Sequence, residues 1–170
     1  MAFQQRVLAL SVNSVFRPII FTSMIAILLR LFVLQPFQVS GQSMLPNYVN
    51  GESVLVWAPY RLTGGLRTGD VIVFRPPIPG DYEFIKRVIA TPDETVAIRD
   101  GIVYVNGRRL QETWETKDGT SWLDHSNLKP QTVRPGHVFV LGDNRRVSYD
   151  SRYWGEVPYR NIAGTVFLQL

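Results

Sequence analysis

The stretch Tyr82–Ala90, YEFIKRVIA, decides how the chain reads. Extended, it places Phe84, Lys86, Val88 and Ala90 on one face, because successive side chains of a strand alternate. Three of the four belong in a core and the fourth is an ammonium group. One reading has Lys86 snorkel at a sheet edge with its stem over the core. The other buries the amine so that it loses its charge.

Outward from this stretch, after Pro36, the texture is repetitive: SVLVWAPY, DVIVF, FIKRVIA, ETVAI, GIVYVNGRRL, HVFVLGDN and AGTVFLQL, separated by Gly, Pro, Asn and Asp. Such runs predict short strands. Asp100-Gly101 and Asn106-Gly107 frame Ile102–Val105 as tight hairpin turns. No amphipathic helix of useful length follows residue 40. The fold class is mainly β, an antiparallel domain over 36–170 with partly closed sheets that protect their edges. Residues from about 108 to 132 read as a polar excursion, with Gln111–Pro130 a long loop of little internal structure.

Ahead of this body, Ile19–Leu34 is nearly all apolar, with Arg30 the charged exception. Counted from Val15 the run reaches about 30 Å as a helix, enough for one bilayer core. Arg17 and Arg30 sit near its ends, where arginines snorkel, and Pro36 stops it. The reading is a cytoplasmic segment 1–14, a transmembrane anchor 15–35 and an outer domain 36–170. Arg6 and Arg17, with no acidic residue among the first thirty, keep the N-terminus in the cytoplasm. A buried core helix and a cleavable secretory signal are the alternatives. No small-x-small site ending in alanine follows the run, which disfavours the signal.

Composition removes several chemistries. A hydrophobic content of 45% with 19% charged residues fits neither a disordered chain nor a polytopic membrane protein. With no cysteine, disulfides, thiolate zinc sites and a cysteine nucleophile are excluded. Two histidines, His125 and His137, are too few for a histidine-rich metal site, and neither lies in a turn resembling a nucleophile's. The net charge of +4 suits an anionic membrane surface, but no basic patch interleaved with aromatics points to nucleic acid.

Three segments carry polar groups suited to chemistry. Ser43 stands in VSGQSMLP, a Gly-containing turn. Lys86 stands in FIKRVIA. GDNRRVSYDSRYWG, Gly142–Gly155, is dense in side chains able to fix one another. In water an amine of pKa ~10.4 is almost wholly charged near neutrality. Burial can lower a lysine by several units, and a neutral amine beside a hydroxyl can take its proton and activate it. Ser–Lys pairs are a variant of the serine–histidine arrangement.

Together and in this order, FQVSGQSMLP, TGDVIVF, FIKRVIA followed by VYVNG, and GDNRRVSYDSRYWG resemble the type I signal peptidases, the bacterial leader peptidase family, from about Arg30 to the C-terminus. The resemblance implies Ser43 as nucleophile and Lys86 as general base. It implies Ser148 as the serine that hydrogen-bonds and orients the amine, and Asp143, Arg145, Asp150 and Arg152 as a supporting charge network. Met44 and Pro46 match the fixed turn after the nucleophile. Gly41 stands where some members have a serine that helps stabilise the oxyanion, and Ser43 N–H would supply one donor. Asn47 and Tyr48 replace the usual Thr-Leu, and Arg146 and Val147 replace polar residues. Phe37, Val39 and Leu45 are expected to line shallow pockets for small side chains. The implied fold is a mostly antiparallel β domain with a smaller β-rich insertion. No metal or organic cofactor is implied. The implied partners are signal peptides of exported preproteins and the lipid bilayer. The implied place is the outer face of the plasma or inner membrane; a thylakoid membrane fits equally. Two rivals are a serine–lysine protease with a narrower task and a membrane-tethered β module that binds extended peptides without catalysis.

Overall fold

The computed structural model describes residues 16–27, 34–59, 65–114 and 124–170. The strands are β1 (Leu34–Gln38), β2 (Ser53–Trp57), β3 (Val71–Phe74), β4 (Phe84–Ala90), β5 (Thr95–Arg99), β6 (Ile102–Val105), β7 (Arg108–Arg109), β8 (Leu128–Thr132), β9 (His137–Leu141), β10 (Val157–Pro158) and β11 (Ile162–Gln169). Residues 16–27 form a helix, α1, and Ser151–Trp154 a single turn, α2. A larger sheet runs β1-β2-β11-β3-β4-β9-β10 and a smaller one β7-β6-β5-β8, with every pairing antiparallel.

The larger sheet is covered on both faces. Val71, Val73 and Ile85 point to one core, with Val39, Met44, Val54 and Val56; Ile72, Phe74 and Val88 point to the other, with Val138, Val140 and Ile162. That is why VIVF is apolar without alternation: β3 is central and buried on both sides. The end of β4 supplies Ile89 and Ala90, and the other face of β9 supplies Phe139 and Leu141, to a third core shared with Val96, Ile98 and Val103 of the smaller sheet. Both expected turns form, with positive φ at Asp100 and Gly101 and again at Asn106 and Gly107.

Four details differ from the sequence reading. A bulge between Val88 and Ala90 breaks the expected four-residue face, so Phe84, Lys86 and Val88 stay together while Ala90 turns into the third core. The polar excursion is shorter than 108–132, because Leu128–Thr132 pairs with β5 and Arg108–Arg109 pairs with β6. Leu34 and Gln35, placed at the end of the anchor, begin β1 and pair with Trp57 and Val56. Val39, expected at a pocket wall, is 2% exposed in the core. The anchor lies partly outside the described residues. Among those described, no helix is long and apolar enough to cross a membrane.

Candidate active site

Three elements converge on one point. The first is the turn after β1. Gly41 adopts φ +93°, a conformation glycine takes without strain, and its N–H donates to Asn50 Oδ1 at 2.8 Å. A Cβ at Gly41 would meet nothing within 4 Å, so it is the backbone and not space that selects glycine there. Leu45 N–H donates to Gln42 O and Tyr48 N–H to Met44 O, which winds the chain through Met44 and Pro46. Met44 is 1% exposed and packs between β2 and β4, so Ser43 is held at the rim of the core.

The second element is β4. Lys86 lies opposite Ile72, on the face shared with Phe84 and Val88, and is 4% exposed. Its Nζ sits 2.8 Å from Ser43 Oγ and 2.9 Å from Ile85 O, and 5.0 Å from the centre of the Phe84 ring. No carboxylate lies within ion-pair distance of it among the described residues. Burial brings the Lys86 pKa down to about 8; the more distant charges of Asp150 and Asp143 oppose that shift and do not cancel it.

The third element is the segment after β9. Gly142 has no room for a side chain: a Cβ would meet Ser148 Oγ at 2.2 Å and Ser43 O at 2.5 Å. Asn144 N–H donates to Ser43 O at 3.0 Å and Asn144 Nδ2 to Gln42 O at 3.1 Å, tying this segment to the nucleophile turn. Ser148 is buried, and its Oγ makes no hydrogen bond among the described residues. The orienting bond to the amine is therefore not formed here; the carbonyl of Ile85 holds the second position on Nζ.

The four expected charged residues divide between two buried clusters. Asp143 receives two bonds from Arg87, at 2.8 and 2.6 Å, and one from Asn47 Nδ2 at 2.9 Å. Asp150 accepts from Gly142 N–H at 3.1 Å, caps α2, and pairs with Arg152, which also donates to Arg145 O and Ser148 O. Arg145 donates to Gly142 O at 2.9 Å and pairs with Glu112; Arg152 also pairs with Asp124. Asp143 and Asp150 are thus saturated by arginines, which leaves Lys86 without a counter-ion. Arg87, Asn144, Gly142 and Glu112 were not picked out by sequence. Arg87 directly follows the lysine, but nothing local marks Glu112, whose partner is 33 residues away.

A cleft of about 300 Å³ opens over Ser43 and Lys86, walled by Phe37, Gly41, Ile85, Val147 and Tyr149. No group of three or more His, Asp or Glu side chains suited to a metal occurs among the described residues.

Residues 12–170 match the model of the family described as signal peptidase, peptidase S26. A probable signal peptidase I-1 from Synechocystis sp. is 40% identical over 147 residues, covering 82% of this chain and 72% of that one. A signal peptidase I from Bacillus licheniformis is 32% identical over 165 residues, covering 90% and 87%. The crystal structure of a signal peptidase I from Enterococcus faecalis superposes with a TM-score of 0.52 at 34% identity, over 60% of this chain and 97% of that one.

Proposed function

The chain belongs to the signal peptidase family, peptidase S26, serine proteases that remove signal peptides, and from that premise we propose that Ser43 is its nucleophile and neutral Lys86 its general base. The observation that carries the assignment is the 2.8 Å separation of Nζ from Oγ at a lysine that burial has brought to about 8. In the neutral form the hydroxyl donates to Nζ. Attack on the scissile carbonyl passes the serine proton to Lys86 and builds negative charge on the carbonyl oxygen. Ser43 N–H is suited to receive that charge. Collapse breaks the C–N bond, Lys86 returns the proton to the departing amine, and the acyl group stays on Ser43. A water molecule, deprotonated by Lys86, then releases the signal peptide.

The domain is held at the outer face of a membrane by the N-terminal apolar anchor, with residues 1–14 in the cytoplasm. The support is the apolar run and the basic residues ahead of it, with part of that run helical over 16–27. Eight residues separate Leu34 from Ser43, so the serine stays within about 30 Å of the span even if the chain is extended. The substrate's apolar segment occupies the same bilayer, which raises the local concentration of cleavage sites. Membership of the family implies alanine-type residues at the substrate's minus-one and minus-three positions. Asp143, Arg145, Asp150 and Arg152 hold the segment after β9 in place, and Asn144 of that segment holds the turn.

The test is cleavage of a preprotein by the detergent-solubilised full chain, with the new N-terminus sequenced. Ser43→Ala is expected to abolish cleavage. Retention of processing by that variant overturns the assignment.

A further inference from the structure

We propose that Asn47 is a positioning residue: it ties the Ser43 turn to the buried Arg87–Asp143 pair and so fixes the separation of Ser43 from Lys86. The proposal rests on the Ser43–Lys86 reading.

Asn47 stands four residues after Ser43, at the exit of the nucleophile turn, and is half-buried. Its amide nitrogen makes two bonds, to Asp143 Oδ2 at 2.9 Å and to Trp114 O at 3.0 Å. Both amide protons are thereby used. The same Asp143 oxygen accepts from Arg87 Nη2 at 2.6 Å, and Arg87 directly follows Lys86 in β4. One carboxylate oxygen is therefore the junction between the nucleophile's turn and the base's strand.

The other side of the junction is equally fixed. Arg87 donates to Gly69 O at 2.8 Å and lies over the Trp114 ring, 4.6 Å from its centre. Trp114 in turn packs against Gly69, where a Cβ would meet its ring at 3.3 Å. Arg87, Asp143 and Trp114 form a packed wall, and among the described residues Asn47 is the side chain of the turn that hydrogen-bonds to it, while Tyr48 lines the same pocket as Arg87. Removing Asn47 leaves the wall intact, because Arg87 still holds Asp143 through two bonds. What is lost is the attachment at the exit of the turn; the Asn144 bonds to Ser43 O and Gln42 O at its other end remain. A displacement of about 1 Å between reacting groups costs on the order of 100-fold in rate.

Asn47→Leu and Asn47→Ala both remove the donors, one at near-constant size and one by truncation, and neither places a second carboxylate against Asp143. Acylation is followed as the burst of p-nitrophenol from a p-nitrophenyl ester of an acylated alanine. The burst amplitude counts competent sites and its rate constant reports each site. The expected result is an unchanged amplitude, a rate constant lowered about 10- to 100-fold, and kcat lowered in parallel on a preprotein with KM within about twofold. Should Asn47→Leu lose amplitude through misfolding, Asn47→Ala decides. A wild-type rate constant per site in Asn47→Ala overturns the proposal, as does a loss confined to amplitude in both variants. Ser43→Ala separates the two claims: a burst that survives it removes the serine–lysine reading itself, whereas a burst it abolishes, with Asn47 variants at wild-type rate, removes only the role of Asn47.

Discussion

Lys86 and Arg87 are neighbours in β4, both are nearly buried, and they meet opposite electrostatic surroundings. Arg87 faces Asp143 at 2.6 Å, while Lys86 has a hydroxyl, a carbonyl and an aromatic ring around its amine and no carboxylate at ion-pair distance. Strand geometry alone separates them, since consecutive side chains leave opposite faces. One cation is paired with a carboxylate; the other is brought to about 8 by burial.

The first expectation is a pH profile. The activity depends on the neutral amine, so kcat/KM should rise tenfold per pH unit below about 8 and level off above it. At pH 6 roughly 1% of the plateau should remain. A preprotein cleavage series from pH 6 to 10 checks this, and a flat profile removes Lys86 as the base.

The same shift has a stability consequence. The pKa of Lys86 is depressed on folding, from 10.5 to about 8, so its contribution to stability is present above 10.5 and lost as pH falls through about 8. The amount is about 3 kcal/mol. Lys86→Met should therefore be inactive and more stable than the parent below pH 8, with the advantage fading by pH 10.5. Urea unfolding at pH 7 and pH 10 reads the difference.

Sequence and structure part company at the sheet edges. Every central strand was legible from its apolar run. The four that were not, β1, β7, β8 and β10, are all edge strands; β7 is two arginines, and the other three each hold a proline: Pro36, Pro130 and Pro158. Proline marks a strand's end in a sequence because it lacks a donor, yet an edge strand needs donors on one side only. The site divides in the same way. Ser43, Lys86 and the 142–155 segment carry local texture. Arg87's partner, Asn47's two bonds and Glu112 exist only through contacts between residues far apart in the chain, which no periodicity encodes.

Gly142→Ala should abolish activity. The new methyl would overlap both Ser148 and the backbone oxygen of Ser43, so relief requires moving the nucleophile itself. Destabilisation of about 1–3 kcal/mol is expected from the overpacking. Calorimetry together with the cleavage assay checks both, and a fully active alanine variant would contradict the close approach.

Ser148→Ala should cost less than about 1 kcal/mol in stability, because the hydroxyl it removes is buried and unbonded. A fall in kcat without a fall in stability would show that Ser148 meets the amine only once substrate is bound.

Asp143→Leu should destabilise by about 3–5 kcal/mol, since it leaves the Arg87 guanidinium buried without a carboxylate. Arg87→Met combined with Asp143→Leu should restore most of that loss. Equilibrium unfolding of the two single variants and the double variant gives the coupling directly.

Arg145 is 3% exposed at its side chain, and among the described residues its carboxylate partner is Glu112, beyond the last strand of the β5-β6-β7 meander. The smaller sheet is therefore not an accessory that can be trimmed away. A shortened enzyme cut at the boundary between the sheets would strand a cation in its own interior, so any miniaturised version must either carry a replacement acid to that spot or give up the arginine as well.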